Sequence, residues 1–195
     1  MPIQRITSGI IADGAIVATD IGDGIVTANK IASLTSSELS TIVSDGTGSG
    51  NVVFGESPTL TNILLNRARE SANISATAAD GTVTLNTIEN NILYLTANAT
   101  NNIVINITGN SSIALNDFLS TGESFTTALL VTNGSSPSYP TAINIDGTDV
   151  TTNTKWQGGD APTSGNADAV DVYTFSIFKT ANASFTVFAA QTQFG

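Results

Sequence analysis

The stretch VDVYTFSIFKTANASFTVFAAQTQF, from Val170 to Phe194, decides the fold class of this chain. Two runs rich in Val, Phe, Ile and Thr flank the polar segment TANAS, which is the pattern of a β-hairpin. The first run changes phase in its two-residue alternation, because its large apolar residues are at even positions in Val170 and Val172 and at odd positions in Phe175 and Ile177. We therefore expect either a β-bulge or burial on both faces of this strand.

Upstream of the hairpin, the alternation of strands and turns extends back to Ala72. The runs ANISATA, TVTLNTI, ILYLTA, IVINIT and SFTTALLVT are separated by turn signals, of which Asp80-Gly81 is the strongest. TAINI, Asp146-Gly147 and TDVTTNTKW indicate a further hairpin or corner, and SIALNDFL predicts a strand or a single helical turn. About eight or nine short strands at this spacing predict an antiparallel, jelly-roll-like β-sandwich as the head domain, residues 72–195.

The N-terminal region has a different pattern. ADGAIVATDIGDGIVTANKI, residues 12–31, nearly repeats itself, because Asp13-Gly14 returns as Asp23-Gly24. Its apolar residues recur about every five positions, which fits neither a helix nor a strand. We predict an extended arm over residues 1–45, with a short helix in LTSSELSTIV (34–43), followed by a Gly-rich hinge and linker over residues 46–71.

The arm has too few large apolar residues to compensate for the conformational entropy lost when it is ordered alone. We therefore expect it to be ordered only in an assembly, with its large apolar side chains buried against other chains. This predicted assembly interface consists of Ile16, Val17, Ile21, Ile25, Val26 and Ile31.

Composition excludes several function classes. Six basic residues stand against sixteen acidic ones, for a net charge of -10, which argues against a nucleic-acid partner. The chain has no Cys and no His, so disulfides, thiolate or imidazole catalysis and the usual transition-metal ligands are excluded. No apolar run is long enough to span a membrane, and the N-terminus predicts no secretory signal. We expect no cofactor and no metal.

Two acidic pairs are candidate sites of chemistry. Asp146 and Asp149 lie in IDGTD, and Asp168 and Asp171 lie in ADAVD. Either pair could serve a glycosidase or supply oxygen ligands to calcium. Close spacing in an acidic chain does not establish that geometry, so turn-forming aspartates are the favoured interpretation, and we predict no catalytic residues.

The only Trp precedes the polar, Gly-rich loop QGGDAPTSGN (157–166). A lone Trp beside such a loop either stacks on a carbohydrate or closes one end of a sandwich core, and we favour the core. The candidate contact surface of the head is Tyr139, Trp156, Gly158 and Asp160.

Two parts of the chain resemble bacteriophage virion proteins. SDGTGSGNVVFGESPTLTN (44–62) is similar to a linker of the form G-x-G-x-V-V-F-x-x-S-P-T-L in phage tail fibres and other virion proteins. LSTGESFTTALLVTNGS and KWQGGDAPTSGNADAVDVYTFSIFKT resemble a domain of structural proteins from cyanophages and related marine phages. This resemblance implies a virion location, a homotrimer and a virion partner such as the major capsid protein, with no catalytic residues to carry over.

Two structural roles are open. In one, the protein decorates the capsid, with its arm bound to the shell and its head projecting outward. In the other, it is a short tail fibre or tail-tip protein whose head binds a host surface glycan. The short chain, with no long shaft between hinge and head, favours decoration. An enzyme such as a capsule depolymerase is disfavoured, because the acidic residues show no paired arrangement.

Overall fold

The computed structural model describes residues 17–22, 38, 64 and 69–195. The chain divides into two units, Met1–Leu64 and Leu65–Gly195, and all the described strands lie in the second unit. In the first unit, Ala18–Asp20 form one 3-10 turn, and Glu38 is helical. The rest of the predicted short helix, most of the predicted arm and most of the linker lie outside the described residues.

Ten strands are described, together with one short α-helix and a second 3-10 turn at Thr151–Asn153. The helix α1 is a single turn, Leu115–Phe118, which confirms one of the two alternatives predicted for SIALNDFL. The strands are β1 (Ala72–Ala78), β2 (Gly81–Asn86), β3 (Ile92–Ala97), β4 (Ile103–Thr108), β5 (Ser124–Thr132), β6 (Pro140–Ile145), β7 (Thr148–Asp149), β8 (Thr154–Trp156), β9 (Val170–Ala181) and β10 (Ser184–Phe194).

The first six strands wind in coils between two sheets. β1, β3 and β5 lie parallel in sheet A, and β2, β4 and β6 lie parallel in sheet B, so the chain changes sheet after every strand. Ala72 pairs with Ile92 and Gly81 pairs with Ile103, so the first coil takes about twenty residues, as in β-solenoids. The next coil is longer because the segment between β4 and β5 contains α1.

Both sheets also contain antiparallel pairings, and the edge strand β8 of sheet A is parallel to β10. Sheet A has the order β1-β3-β5-β9-β10-β8, with β9 antiparallel to both β5 and β10. The hairpin predicted from the C-terminal stretch is confirmed. Sheet B ends in the hairpin β6–β7, where φ is 50° at Asp146 and 78° at Gly147, as a type I′ turn requires.

One hydrophobic core includes buried residues from both sheets. On β4, Ile103, Ile105 and Ile107 are buried, while the residues between them are half-buried and face outward. β9 alternates in the same way, with Tyr173, Phe175 and Ile177 fully buried. This two-residue period is what places one set of side chains in the core and the other on the surface.

The mainly β prediction is confirmed, but the antiparallel pairing is wrong. Five of the eight strand pairings are parallel, so the sheets are mixed, and the jelly-roll-like arrangement is not confirmed. Clean alternation of apolar and polar residues is usual in antiparallel sheets, whereas parallel sheets are usually buried on both faces. Here the parallel strands of the coils keep the alternation, and each of these parallel neighbours is reached through a strand of the opposite sheet.

The structure also explains why the apolar residues of β9 do not keep a single two-residue alternation. β9 pairs with β5 without any shift of register, and its one shift against β10 lies at Thr180, beyond the apolar run, so a bulge does not explain the change of phase. The inward positions before and after the apolar run are occupied by Asp171 and Lys179, and Val170 and Val172 face outward half-buried. The second alternative, apolar residues on both faces, is the one that the structure supports.

Candidate interaction surface

The predicted arm interface is described at two of its six residues. The Val17 backbone N–H donates to the Asp20 carboxylate at 3.0 Å, and the Asp20 N–H donates to the Val17 carbonyl at 2.9 Å. This reciprocal pair closes the 3-10 turn and leaves Val17 and Ile21 exposed by 53% and 42%. Ile16, Ile25, Val26 and Ile31 lie outside the described residues.

Trp156 belongs mainly to the core. Its ring packs edge-on against Phe175, with 6.4 Å between the ring centroids, and it is half-buried against the hydrophobic cluster. This position confirms the favoured interpretation of the Trp. Trp156 still contributes to the wall of an open groove, which prevents its assignment to the core alone.

The other predicted contact residues are divided between two loops. Gly158 and Asp160 follow Trp156 in a turn closed by the Gly159 N–H, which donates to the Trp156 carbonyl at 3.0 Å. Gly158 has φ of 88°, a conformation that favours glycine. Tyr139 precedes β6, where its N–H donates to the Asn102 side chain at 3.2 Å.

The groove beside Trp156 has a volume of about 450 Å³ and lies along β8 and the middle of β10. Neither Tyr139 nor Asp160 contributes to its wall. The structure therefore does not bring the four predicted contact residues into one site. The groove is lined by Lys155, Trp156, Gln157, Thr174, Ser176, Phe188, Ala189 and Ala190.

The first acidic pair is structural. Asp146 accepts hydrogen bonds from the backbone N–H groups of Leu115 and Asn116, at 2.7 and 2.9 Å, and from the Thr108 hydroxyl at 2.8 Å. It thereby caps α1 while it forms the β6–β7 turn. Asp149 accepts from the Thr151 N–H at 2.8 Å, and hydrogen bonding by Thr151 lowers the pKa of its carboxyl group.

The second acidic pair is also used internally. Asp168 has φ of 52° in the turn before β9, so the turn-forming interpretation is confirmed there. Asp171 is fully buried and accepts from the Asn133 side chain at 2.9 Å and from the Asn166 backbone and side chain at 2.9 and 2.5 Å. It thereby ties the loop after β5 to the loop before β9.

Two further buried groups lie on the inward face of β9. Burial, reinforced by the neighbouring Asp171 carboxylate, raises the pKa of Tyr173 well above its usual range. The Gln191 side chain donates to the Tyr173 hydroxyl at 3.3 Å. At the other end of β9, the Lys179 ammonium donates to the Asn116 carbonyl and, at 2.8 Å, to the Leu119 carbonyl, so it holds the C-terminal side of α1.

These positions account for the four aspartates of the two acidic pairs. Among the described residues, no group of three or more Asp, Glu, His or Cys side chains is placed to hold a metal ion. Each of the four aspartates considered above sits in a turn, a cap or a buried network. The arrangement is that of a scaffold stabilised by its polar groups.

The head also has an apolar outer surface on sheet A that the sequence pattern did not indicate. The outward side chains of sheet A form aligned rows, because Ile74, Tyr94, Leu130 and Val172 are successive partners across four strands. Phe178 and Phe188 add an exposed edge-to-face pair, with 5.8 Å between their centroids. We call this surface the outer A face, and it consists of Ala72, Ile74, Ile92, Tyr94, Ser124, Thr126, Ala128, Leu130, Thr132, Lys155, Val170, Val172, Thr174, Ser176, Phe178, Thr186, Phe188, Ala190, Thr192 and Phe194.

The outer A face is nearly uncharged. The strands of sheet A contain three charged residues, and two of them, Asp171 and Lys179, point inward. Only Lys155, on the edge strand β8, is outward. Four large hydrophobic side chains of this face are exposed, namely Ile74 by 69%, Phe194 by 58%, Phe188 by 52% and Phe178 by 41%.

No family model, curated protein or solved structure matches this chain. Within the described part of the chain, no helix has the length and apolar character needed to cross a membrane. A functional assignment therefore rests on the surfaces just described and on the resemblance of the linker and head sequences.

Proposed function

We propose that this chain is a non-enzymatic structural protein of a bacteriophage virion, a homotrimeric capsid decoration protein. The arm, residues 1–45, binds the major capsid protein or another virion protein, and the head, residues 72–195, projects from the outer surface of the capsid. The proposal includes no cofactor, no nucleic acid and no membrane.

The observation that carries the proposal is the exposure of Val17 and Ile21 at a turn that is closed by its own hydrogen bonds between Val17 and Asp20. Apolar side chains held outward in this way are suited to burial against another chain. The head supports the same conclusion, because the aspartates considered for catalysis have structural roles. The phage-like linker at residues 44–62 supplies the virion context.

A tail fibre or tail-tip protein is the alternative, and the groove beside Trp156 favours it. An aromatic ring flanked by Gln157 and Lys155 offers one apolar surface and two polar side chains, which is the composition of a weak carbohydrate site. Under this alternative, the groove binds a host surface glycan, and the copy number per particle is low.

Quantitative mass spectrometry of purified particles tests the proposal. Decoration predicts on the order of hundreds of copies per particle, because decoration follows the repeated capsid lattice. A few dozen copies or fewer would favour the tail alternative. Failure to find the protein in particles would overturn both.

A variant test addresses the arm directly. Val17→Asp combined with Ile21→Asp should reduce incorporation into particles by about a hundredfold, because two apolar contacts are lost and two charges are added. Thr19→Asp is the matched control, since Thr19 is an exposed polar residue of the same turn. Normal incorporation of the double variant would mean that these two residues do not make the attachment.

A further inference from the structure

We propose that the outer A face is the surface through which the heads of separate copies of this chain associate. This inference takes from the proposed function only the number of copies, three. It assigns the contact between the heads to one face of sheet A. The occupant of the face is a second copy of the chain.

Charge selects this face for self-association. The chain carries a net charge of -10, so any two copies repel each other at most orientations. None of the outward residues of the outer A face is acidic, because Asp171 points inward, and the one charged residue of the face, Lys155, is at the edge. Two copies that meet through this face bring apolar surfaces together without placing like charges in direct contact.

The size of the face fits a specific interface. Six strands about 4.8 Å apart give a width of about 24 Å, and the outward rows extend about 20 Å along the strands, so the footprint is about 500 Å². Side-chain relief raises the accessible area above this footprint, towards the roughly 800 Å² per partner of a standard interface. The largest apolar patch of a typical soluble monomer is about 300–600 Å² and is often functional.

The face also has suitable anchors. Phe178 and Phe188 are half exposed and support each other edge-to-face, so they present a rigid aromatic pair at little cost in conformational entropy. Around them, Thr126, Thr174 and Ser176 are outward on the central strands and supply small polar contacts.

Threefold geometry is compatible with this face. Three such faces, each about 24 Å wide, would enclose a triangular prism whose axis lies about 7 Å from each sheet. Sheets that pack face to face are about 10 Å apart, or about 5 Å each from their midplane. Large outward side chains such as Tyr94, Leu130 and Phe188 can fill the additional distance to the axis.

The first test compares two charge-adding variants of the full chain by sedimentation equilibrium. Phe178→Glu with Phe188→Glu changes the outer A face, and Thr84→Glu with Val104→Glu adds the same charge to the outward side of sheet B. We expect the wild type to be trimeric at micromolar concentration, the first variant to dissociate at least a hundredfold more readily, and the second to remain trimeric. Circular dichroism and cooperative melting verify folding of each variant.

Two further variants keep the test decisive if the double Phe variant does not fold. Ser176→Glu places one charge in the outer A face without removing an apolar side chain, and it should also weaken association. Thr174→Cys introduces the only Cys of the chain near the centre of the face, so oxidation should link copies in pairs. Asn106→Cys, outward on sheet B, is its control and should not link them.

The outcomes separate this inference from the proposed function. A monomeric wild type, a folded outer A variant with unchanged mass, or equal dissociation of the sheet B control would each overturn the inference. All of these measurements use purified protein. If the protein associates through this face but is absent from particles, the inference stands and the proposed function fails. If the protein is found in particles but associates through another surface, the proposed function stands and the inference fails.

Discussion

The two sheets of the head have matching inner faces and contrasting outer faces. Ile105 on sheet B and Phe175 on sheet A are both fully buried in the common core. On the outside, sheet B presents Thr and Asn, as in the aligned row Thr84, Asn106 and Asn144, whereas sheet A presents mainly apolar side chains. A sheet that faces water on one side normally has a polar outer face. Sheet B follows this rule, and sheet A departs from it, as expected if the proposed association covers its outer face.

The contrast is sharpest at the two lysines of the head. Lys179 points inward and donates to the carbonyls of Asn116 and Leu119, while Lys155 is exposed on the outer A face. Lys179→Met keeps an unbranched side chain, one atom shorter, but leaves two carbonyls without their donor. We expect it to lower the free energy of unfolding by about 2–3 kcal/mol.

Lys155→Met is the matched control and should change the free energy of unfolding by no more than about 0.5 kcal/mol. Urea unfolding, performed at a concentration below that of association, measures both values. Equal effects of the two substitutions would show that the Lys179 ammonium does not hold α1. A larger effect at Lys155 would contradict the assignment of the two faces.

Local features of this fold were predictable from the sequence. The β9–β10 hairpin, the turn at Asp146-Gly147 and the core position of Trp156 follow from turn chemistry and the properties of single residues. Strand pairing was not predictable in this way. Asp80-Gly81 forms a corner between two sheets rather than a hairpin, and the residues of a tight turn are similar in both cases.

A repeat in sheet B would have indicated the parallel winding. One apolar–polar–apolar pattern lies in register through β2, β4 and β6, as Val83-Thr84-Leu85, Ile105-Asn106-Ile107 and Ile143-Asn144-Ile145. The signal is weak because the second coil contains an insertion, so the spacing between copies is irregular. Stacked copies of a short motif are typical of solenoids.

The outer A face could not be identified from the sequence, because both phases of β9 contain large apolar residues. Val172 and Phe178 lie in one phase, and Phe175 and Ile177 lie in the other. The buried phase also contains Asp171 and Lys179. Charged residues are normally expected on the outside of a strand, and only their buried hydrogen-bond partners explain why these two point inward. Long-range contacts therefore decide which residues form the surface.

Tyr173 offers a test of the buried end of β9 through alkaline unfolding. Its raised pKa means that the folded state retains the phenolic proton at a pH where the unfolded state releases it. The contribution to stability is fully present below about pH 10, the unfolded pKa, and is lost as the pH rises towards the folded pKa. The wild type should therefore lose up to about 1.4 kcal/mol per pH unit above pH 10 from this group.

Tyr173→Phe removes the titrating group and should reduce that slope. At neutral pH it should cost about 1 kcal/mol, because the hydrogen bond from Gln191 is lost. Urea unfolding of both proteins at pH 8, 10 and 11 isolates the contribution as a difference, so other titrating groups cancel. An identical slope in the variant would show that Tyr173 is not held in its protonated form by the fold.

The smallest expected effect on stability concerns the outer face of sheet B. Thr82 and Thr84 are exposed there, and Thr82 is aligned with Val104 and Ala142 across β4 and β6. Thr82→Val with Thr84→Val would make this corner of sheet B resemble the outer A face. Because both side chains remain outward on a strand that tolerates β-branched residues, the free energy of unfolding should change by no more than about 0.5 kcal/mol.

The change should instead appear in association. If apolar composition is what makes an outer sheet surface associate, the double Val variant should form higher assemblies than the wild type at the same concentration. Sedimentation velocity over a range of concentrations measures this, and Thr82→Ser with Thr84→Ser, which keeps both hydroxyl groups, is the control. Unchanged sedimentation of the Val variant would mean that area and aromatic anchors, rather than apolar composition alone, distinguish the outer A face from the outside of sheet B.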